Sequence, residues 1–146
     1  MKLSTKVRYG TRAMLDLACH YGDKPVLLRD ISQRQEISQK YLDRILSSLK
    51  AAGLVKTWRG AKGGYSLSEH PSKVTIKQIA EALEGPLRLV ECITNKNFCQ
   101  RVGSCVTHDI WDELNKAMVT VLKTTTLEDL VIRDTAKKKT SEMYHI

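Results

Sequence analysis

Two short runs with β-forming character, residues 54–58 and 65–67, flank the stretch Arg59-Gly60-Ala61-Lys62-Gly63-Gly64 in a chain that is otherwise patterned almost throughout for helix. That arrangement predicts a single β-hairpin mounted on a helical body. Its glycines allow backbone with positive φ and close approach to another surface, and its tip carries two cations, Arg59 and Lys62.

Helical spacing organises what lies on either side. Residues 4–21 place Val7, Met14, Leu17, Ala18 and Tyr21 along one stripe, before Gly22-Asp23-Lys24-Pro25 ends the run. Cys19 is expected to be a small buried hydrophobe on this helix. Residues 28–34 make a short second helix, Gln35-Glu36-Ile37 a turn, and residues 38–52 a third helix with Ser38 as N-cap and Gly53 just past its end. Tyr41, Leu42, Ile45, Leu46 and Leu49 hold that helix down, leaving Gln39, Lys40, Asp43, Arg44 and Ser47 on the other face. Three helices followed by a hairpin is the order of a winged helix-turn-helix. The expected fold class is therefore mainly α with a small β-hairpin wing.

Residues 75–84 form a fourth helix ending at Gly85-Pro86, and the chain then runs to about residue 104 without clear periodicity. A structureless stretch of this length inside a small domain is usually functional or mobile. Residues 107–124 make a long helix whose apolar face, Ile110, Trp111, Leu114, Ala117, Met118, Val121 and Leu122, suits either a dimer partner or the protein's own core. The expected division is a DNA-binding domain over 1–85, a ligand-binding loop over 86–106, a dimerisation helix with a short following helix over 107–132, and a disordered basic tail over 133–146.

The formal charge of +8 is unevenly distributed. Residues 1–77 hold 15 Lys or Arg against 6 Asp or Glu, whereas residues 78–146 hold 9 against 10. A cationic N-terminal half beside a near-neutral remainder favours nucleic acid or an anionic surface, and with the winged helix-turn-helix order the expected partner is a double-stranded DNA operator. A membrane surface fits less well, because no basic amphipathic helix or lipidation motif is present. The first residues, Met1-Lys2-Leu3-Ser4-Thr5-Lys6, lack the apolar run of a secretory leader, so the expectation is a cytoplasmic protein with reduced thiols. No paired acid and base, phosphate loop or nucleophile–base arrangement points to an enzyme.

In a helix-turn-helix, the N-terminal part of the second helix enters the major groove, which makes Ser38, Gln39, Lys40, Asp43 and Arg44 the candidate base contacts. Lys and Arg favour guanine O6 and N7, Gln favours adenine, and a carboxylate accepts from cytosine N4. Asp43 is either such a reader or a charge partner of Lys40 or Arg44. Arg59 and Lys62 are expected in the adjacent minor groove or on its phosphates.

Three of the chain's four cysteines fall in the pattern Cys92-x6-Cys99-x5-Cys105-x2-His108. Thiolate and imidazole are ligands for soft transition metals and iron–sulfur clusters. The gaps match a zinc ribbon poorly, while a metal-free thiol switch stays open, since thiolates in a basic setting oxidise readily.

With Lys6-Val7-Arg8-Tyr9-Gly10-Thr11-Arg12-Ala13-Met14-Leu15-Asp16, Tyr41-Leu42-Asp43-Arg44-Ile45, Gly53-Leu54-Val55 and the glycine-rich turn leading to Tyr65, the chain resembles the IscR and NsrR group of winged-helix regulators from Met1 to about Val131. The resemblance implies a homodimer joined through the long C-terminal helix, and an iron–sulfur cluster on Cys92, Cys99 and Cys105 that sets DNA affinity or site choice. His108 lies where the IscR branch has its fourth ligand to a 2Fe–2S cluster. Arg8 lies in the region where the NsrR branch has an aspartate on a 4Fe–4S cluster, so 2Fe–2S is favoured. The resemblance further implies regulation of cluster biogenesis, with cluster-assembly proteins as donors. A nitric-oxide-sensing repressor is the alternative, as is a regulator governed by thiols or a partner protein. Two departures stand out: the gap between Cys92 and Cys99 is one residue longer than the IscR pattern, and Asp43 replaces a glutamate.

Overall fold

Ser4 accepts a hydrogen bond from the Val7 amide at 3.1 Å and so starts the first helix, α1 (Thr5–Cys19). The computed structural model describes residues 2–145; Met1 and Ile146, the outer ends of the expected DNA-binding domain and tail, lie outside the described residues. After α1 come α2 (Leu28–Gln35), α3 (Gln39–Ala51), the strands β1 (Val55–Trp58) and β2 (Gly64–Leu67), then α4 (Ile76–Glu84), α5 (Val106–Thr124) and α6 (Leu127–Tyr144). Five helices and both strands fall within two residues of where caps and periodicity put them. The architecture is the mainly helical winged helix-turn-helix that the sequence predicts, with one two-stranded antiparallel hairpin.

One apolar core joins α1, α3 and α4 through Met14, Leu17, Leu42, Ile45, Leu46 and Ile79. Gly10 lets α1 and α4 approach closely, since a Cβ there would lie 2.3 Å from Leu83 Cδ1. A second tie between α1 and α2 is polar. Asp16 is buried and accepts from Arg34 Nε at 2.9 Å, Arg34 Nη2 at 2.8 Å and Gln35 Nε2 at 3.0 Å. Burial pushes this carboxyl up, yet the hydrogen bonds from Arg34 and Gln35 and the arginine's charge outweigh it and leave the group below its ordinary value. Arg12 adds a bond to the Gln35 carbonyl at the end of α2. Glu36, with φ of 54°, then turns the chain toward α3.

The wing is fastened to this body by a backbone junction with the link between α1 and α2. Val55 pairs with Leu67 and Thr57 with Tyr65 across the hairpin. Tyr65 also exchanges two hydrogen bonds with Val26, both 2.8 Å long, so the link between α1 and α2 lies beside β2 like a third strand. Gly64, at φ of 144°, is required there because a Cβ would sit 2.4 Å from the Val26 carbonyl oxygen.

Two expectations are corrected. The stretch from residue 133 is not a disordered tail, because α6 continues without interruption to Tyr144. Few apolar residues suggest disorder, but residues 127–145 also contain no glycine or proline. The helix opens with a capping box between Thr126 and Asp129 and carries an Asp134–Lys138 ion pair of 2.7 Å. Cys19 is exposed rather than buried. It lies two residues past Leu17, about 200° round the helix from the buried stripe, with its thiol 3.9 Å from Asp134.

Leu127 at the head of α6 is fully buried in the same core as α1 and α3. Its amide donates to the Val74 carbonyl at 2.9 Å, and Ile76 donates back to Thr125 at 3.0 Å. The chain thus leaves the body along α5 and returns to it. Among the described residues no helix is long and apolar enough to cross a membrane.

Candidate nucleic-acid interface and cysteine segment

Burying Leu42, Ile45, Leu46 and Leu49 turns the other flank of α3 outward, and Ser38, Gln39, Lys40, Asp43 and Arg44 are all exposed there. Ser38 is the N-cap, its hydroxyl accepting from the Tyr41 amide at 3.3 Å. Arg59 and Lys62 are exposed at the tip of the hairpin. The flanking Trp58 is held along the wing by an indole N–H that donates to Ser66 at 2.9 Å.

Sequence spacing left Asp43 two roles, base reader or partner of Lys40 or Arg44, and the structure gives its carboxylate a different neighbour. The Tyr65 phenol of β2 donates to Asp43 Oδ1 at 3.3 Å. Burial, and next the adjacent carboxylate, push the phenol up from its ordinary value, so it stays a protonated donor. A second group missed from sequence lies on α1. Tyr9 meets Tyr41 of α3 edge to face, with ring centroids 6.0 Å apart. Arg12 and Arg8 stand 5.3 Å and 5.9 Å from the Tyr9 ring, adding cations beside the head of α3. The spacing of Arg8 and Arg12, one helical turn apart around Tyr9, was the available signal.

The cysteine segment is built differently. Between α4 and α5 the chain makes turns and one short 3-10 turn, Glu91–Ile93, tied down by a few polar contacts. Asn115 of α5, itself buried, accepts from the Leu89 amide at 2.9 Å. Arg88 pairs with Glu91 at 2.9 Å, and the His108 ring lies 3.3 Å by Nε2 from the Cys92 carbonyl. Cys92, Cys99 and Cys105 are all free thiols and half-buried. Cys105 is the N-cap residue of α5, 3.1 Å from the Thr107 hydroxyl. That hydroxyl, then the backbone amide of His108, hold its thiol below the ordinary value.

The donor chemistry, three thiols and an imidazole, suits an iron–sulfur cluster. In this arrangement the four side chains do not converge: among the described residues no three His, Cys, Asp or Glu side chains are grouped to hold a metal ion. What the structure does bring together is Cys92 with His108, through a backbone carbonyl, and Cys105 with Thr107.

Residues 3–133 match the family model described as Rrf2, an iron-dependent transcriptional regulator. The protein rrf2 of Nitratidesulfovibrio vulgaris is 43% identical over 131 residues, which cover 90% of this chain and 87% of that protein. The structure of CymR, called the global cysteine regulator of B. subtilis, superposes with a TM-score of 0.79 at 38% identity, covering 91% of this chain and 98% of that one. The structure of IscR of T. potens superposes with a TM-score of 0.76 at 37% identity, covering 92% of this chain and 88% of that one. Relatives of both kinds stand at similar distance, so the IscR branch is not singled out within the family. The winged helix, the exposed polar flank of α3 and these matches together make the chain a member of the Rrf2 family, a DNA-binding transcriptional regulator and not an enzyme.

Proposed function

We propose that the chain acts in the cytoplasm as a homodimeric operator-specific regulator that takes its signal through residues 92–108. Ser38, Gln39, Lys40, Asp43 and Arg44 read the major groove, while Arg59 and Lys62 engage the adjacent minor groove. The dimer forms along α5, where Ile110 (54% exposed), Trp111 (42%), Leu114 (40%) and Val121 (63%) lack cover within one chain. Cys92, Cys99, Cys105 and His108 would hold an iron–sulfur cluster, 2Fe–2S in type, once the segment draws them together, and it would supply a state sensitive to iron and oxidants. The genes under control are those of cluster biogenesis.

One observation carries this reading. Cys92 is tethered to His108 in the first turn of α5, so ordering the segment bears directly on the helix assigned to the dimer. A ligand in the segment then biases the spacing of two recognition helices, provided it favours one arrangement over another. Anaerobic reconstitution, followed by absorption spectroscopy and iron and sulfide counts per dimer, tests the cluster. The expected result is a coloured protein with two irons and two sulfides per chain, roughly as a 2Fe–2S site requires. His108→Ala should alter its spectrum, and a spectrum identical to the parent places the fourth ligand elsewhere. At the groove, Arg59→Ala should weaken operator binding by about 1–3 kcal/mol at fixed salt.

A second reading, control by thiol chemistry or a partner protein without a cluster, is supported by the dispersed donors and by the lowered Cys105 thiol. A colourless, iron-free protein after reconstitution, with DNA affinity that responds to mild peroxide and is restored by a dithiol, would favour it.

A further inference from the structure

Three charged readers within one and a half turns of α3 pose a problem. Lys40, Asp43 and Arg44 are all exposed, and a carboxylate three residues from an ammonium ordinarily pairs with it on a helix surface. Such a pair would turn both groups away from DNA. The structure instead pairs Asp43 with a neutral donor on another element, the Tyr65 phenol, at 3.3 Å. That length is long for an O–H···O bond, so it orients the carboxylate without occupying it fully. A carboxylate offers about four acceptor positions, and one phenol uses one of them.

Tyr65 is itself immobilised. Its backbone pairs with Thr57 across the wing and exchanges two 2.8 Å hydrogen bonds with Val26, and its ring is half-buried against the core. The phenol therefore sits at a fixed place relative to α1, α2 and the wing together.

We infer that Tyr65 is a specificity-positioning residue, which aims the Asp43 carboxylate at a base edge, keeps Lys40 and Arg44 free, and links the seating of the wing to base choice at the recognition helix. The inference rests on the reading of Asp43 as a base contact. Tyr65 touches no base. It acts through Asp43, and the base so selected is cytosine, whose exocyclic amino group can donate to the carboxylate.

The full-length protein, Tyr65→Phe, Asp43→Ala and the double variant are each equilibrated with a randomised duplex pool, and the bound fraction is sequenced. Affinity for the duplex most enriched by the parent is measured at one salt concentration. Tyr65→Phe keeps the ring, and a thermal melt verifies that it folds. Asp43→Ala should relax the preference for cytosine at one position of each half-site by about 10-fold. Tyr65→Phe should relax the same position by about 3-fold, less than the loss of the carboxylate itself because the long phenol bond only aims it, and add nothing in the Asp43→Ala background. Affinity for unrelated duplex should stay within about twofold of the parent.

If Tyr65→Phe lowers affinity equally for every sequence, or leaves the base preferences of the parent untouched while Asp43→Ala relaxes them, Tyr65 does not position the reader. If Asp43→Ala alters no position, Asp43 is not a base contact and the inference falls with that reading. A parent that enriches no sequence overturns operator reading itself, the broader claim.

Discussion

The winged-helix body and the cysteine segment are neighbours in the chain, yet they are held by different physics. In the body, fully buried side chains such as Met14, Leu46 and Ile79 fill one core, and polar atoms there are partnered, Asp16 above all. Between α4 and α5 no side chain is fully buried; Leu87 packs partly against the core, and the rest is held by backbone turns and by the ties of Asn115 to Leu89, Arg88 to Glu91 and His108 to Cys92. Burial of apolar surface is strong and non-directional, whereas a single hydrogen bond or surface ion pair adds little net stability. The body therefore has one stable arrangement, and the segment can be rearranged at small cost. A rigid body joined to a more pliable segment suits the signal input proposed for residues 92–108.

The contrast can be broken from either side. Leu46→Ala empties a fully buried position and should cost about 3 kcal/mol, read as a lower denaturant midpoint for the entire fold. Asp16→Ala should cost about 2 kcal/mol at neutral pH, the scale of hydrogen bonds to a charged group. Because the folded-state value of Asp16 lies below its ordinary 3.8, its contribution is complete above that pH and is lost as pH falls through the lowered value. The gap between acid melts of the two proteins should then begin to narrow below about pH 4, and a gap that stays constant to lower pH contradicts the network. Asn115→Ala should loosen only the segment: exchange of the Leu89 amide should quicken about fivefold, or about 1 kcal/mol, with amides of α3 unchanged. Equal acceleration in α3 would mean that segment and body unfold as one. Smallest of all, Thr107→Val should raise the Cys105 thiol toward its ordinary value and slow its alkylation at neutral pH, in a variant whose only cysteine is Cys105.

Elements with a local signal were legible from the residues alone. Ser38 caps where its hydroxyl precedes apolar spacing, Gly53 follows α3 with positive φ, and the wing forms around its glycines. What escaped notice depends on contacts distant in the chain or on competing local terms. Asp43 found its partner 22 residues away on a strand, which no helix spacing reveals. The membership of Leu127 in the N-terminal core is equally non-local. Over residues 133–144 a low apolar content argued against order, while unbroken helix-forming residues and an i,i+4 ion pair argued for it, and the latter prevail. Residue type favours the buried stripe for Cys19, although its position in the turn places it outside. For the cysteine segment, the donor set was legible from composition and spacing, but a ligand arrangement is not encoded by either.

Leu127 has a consequence for the order of events during synthesis. Its side chain completes the core beneath α1 and α3, and its amide closes onto Val74, yet it follows the whole of α5 in the chain. A nascent chain extended only as far as α4 holds every residue proposed to read DNA over an unfinished interior. Contacts of such long sequence separation form late, so the core beneath α1 and α3 closes only after α5 has emerged, and topology delays the finished winged helix until then.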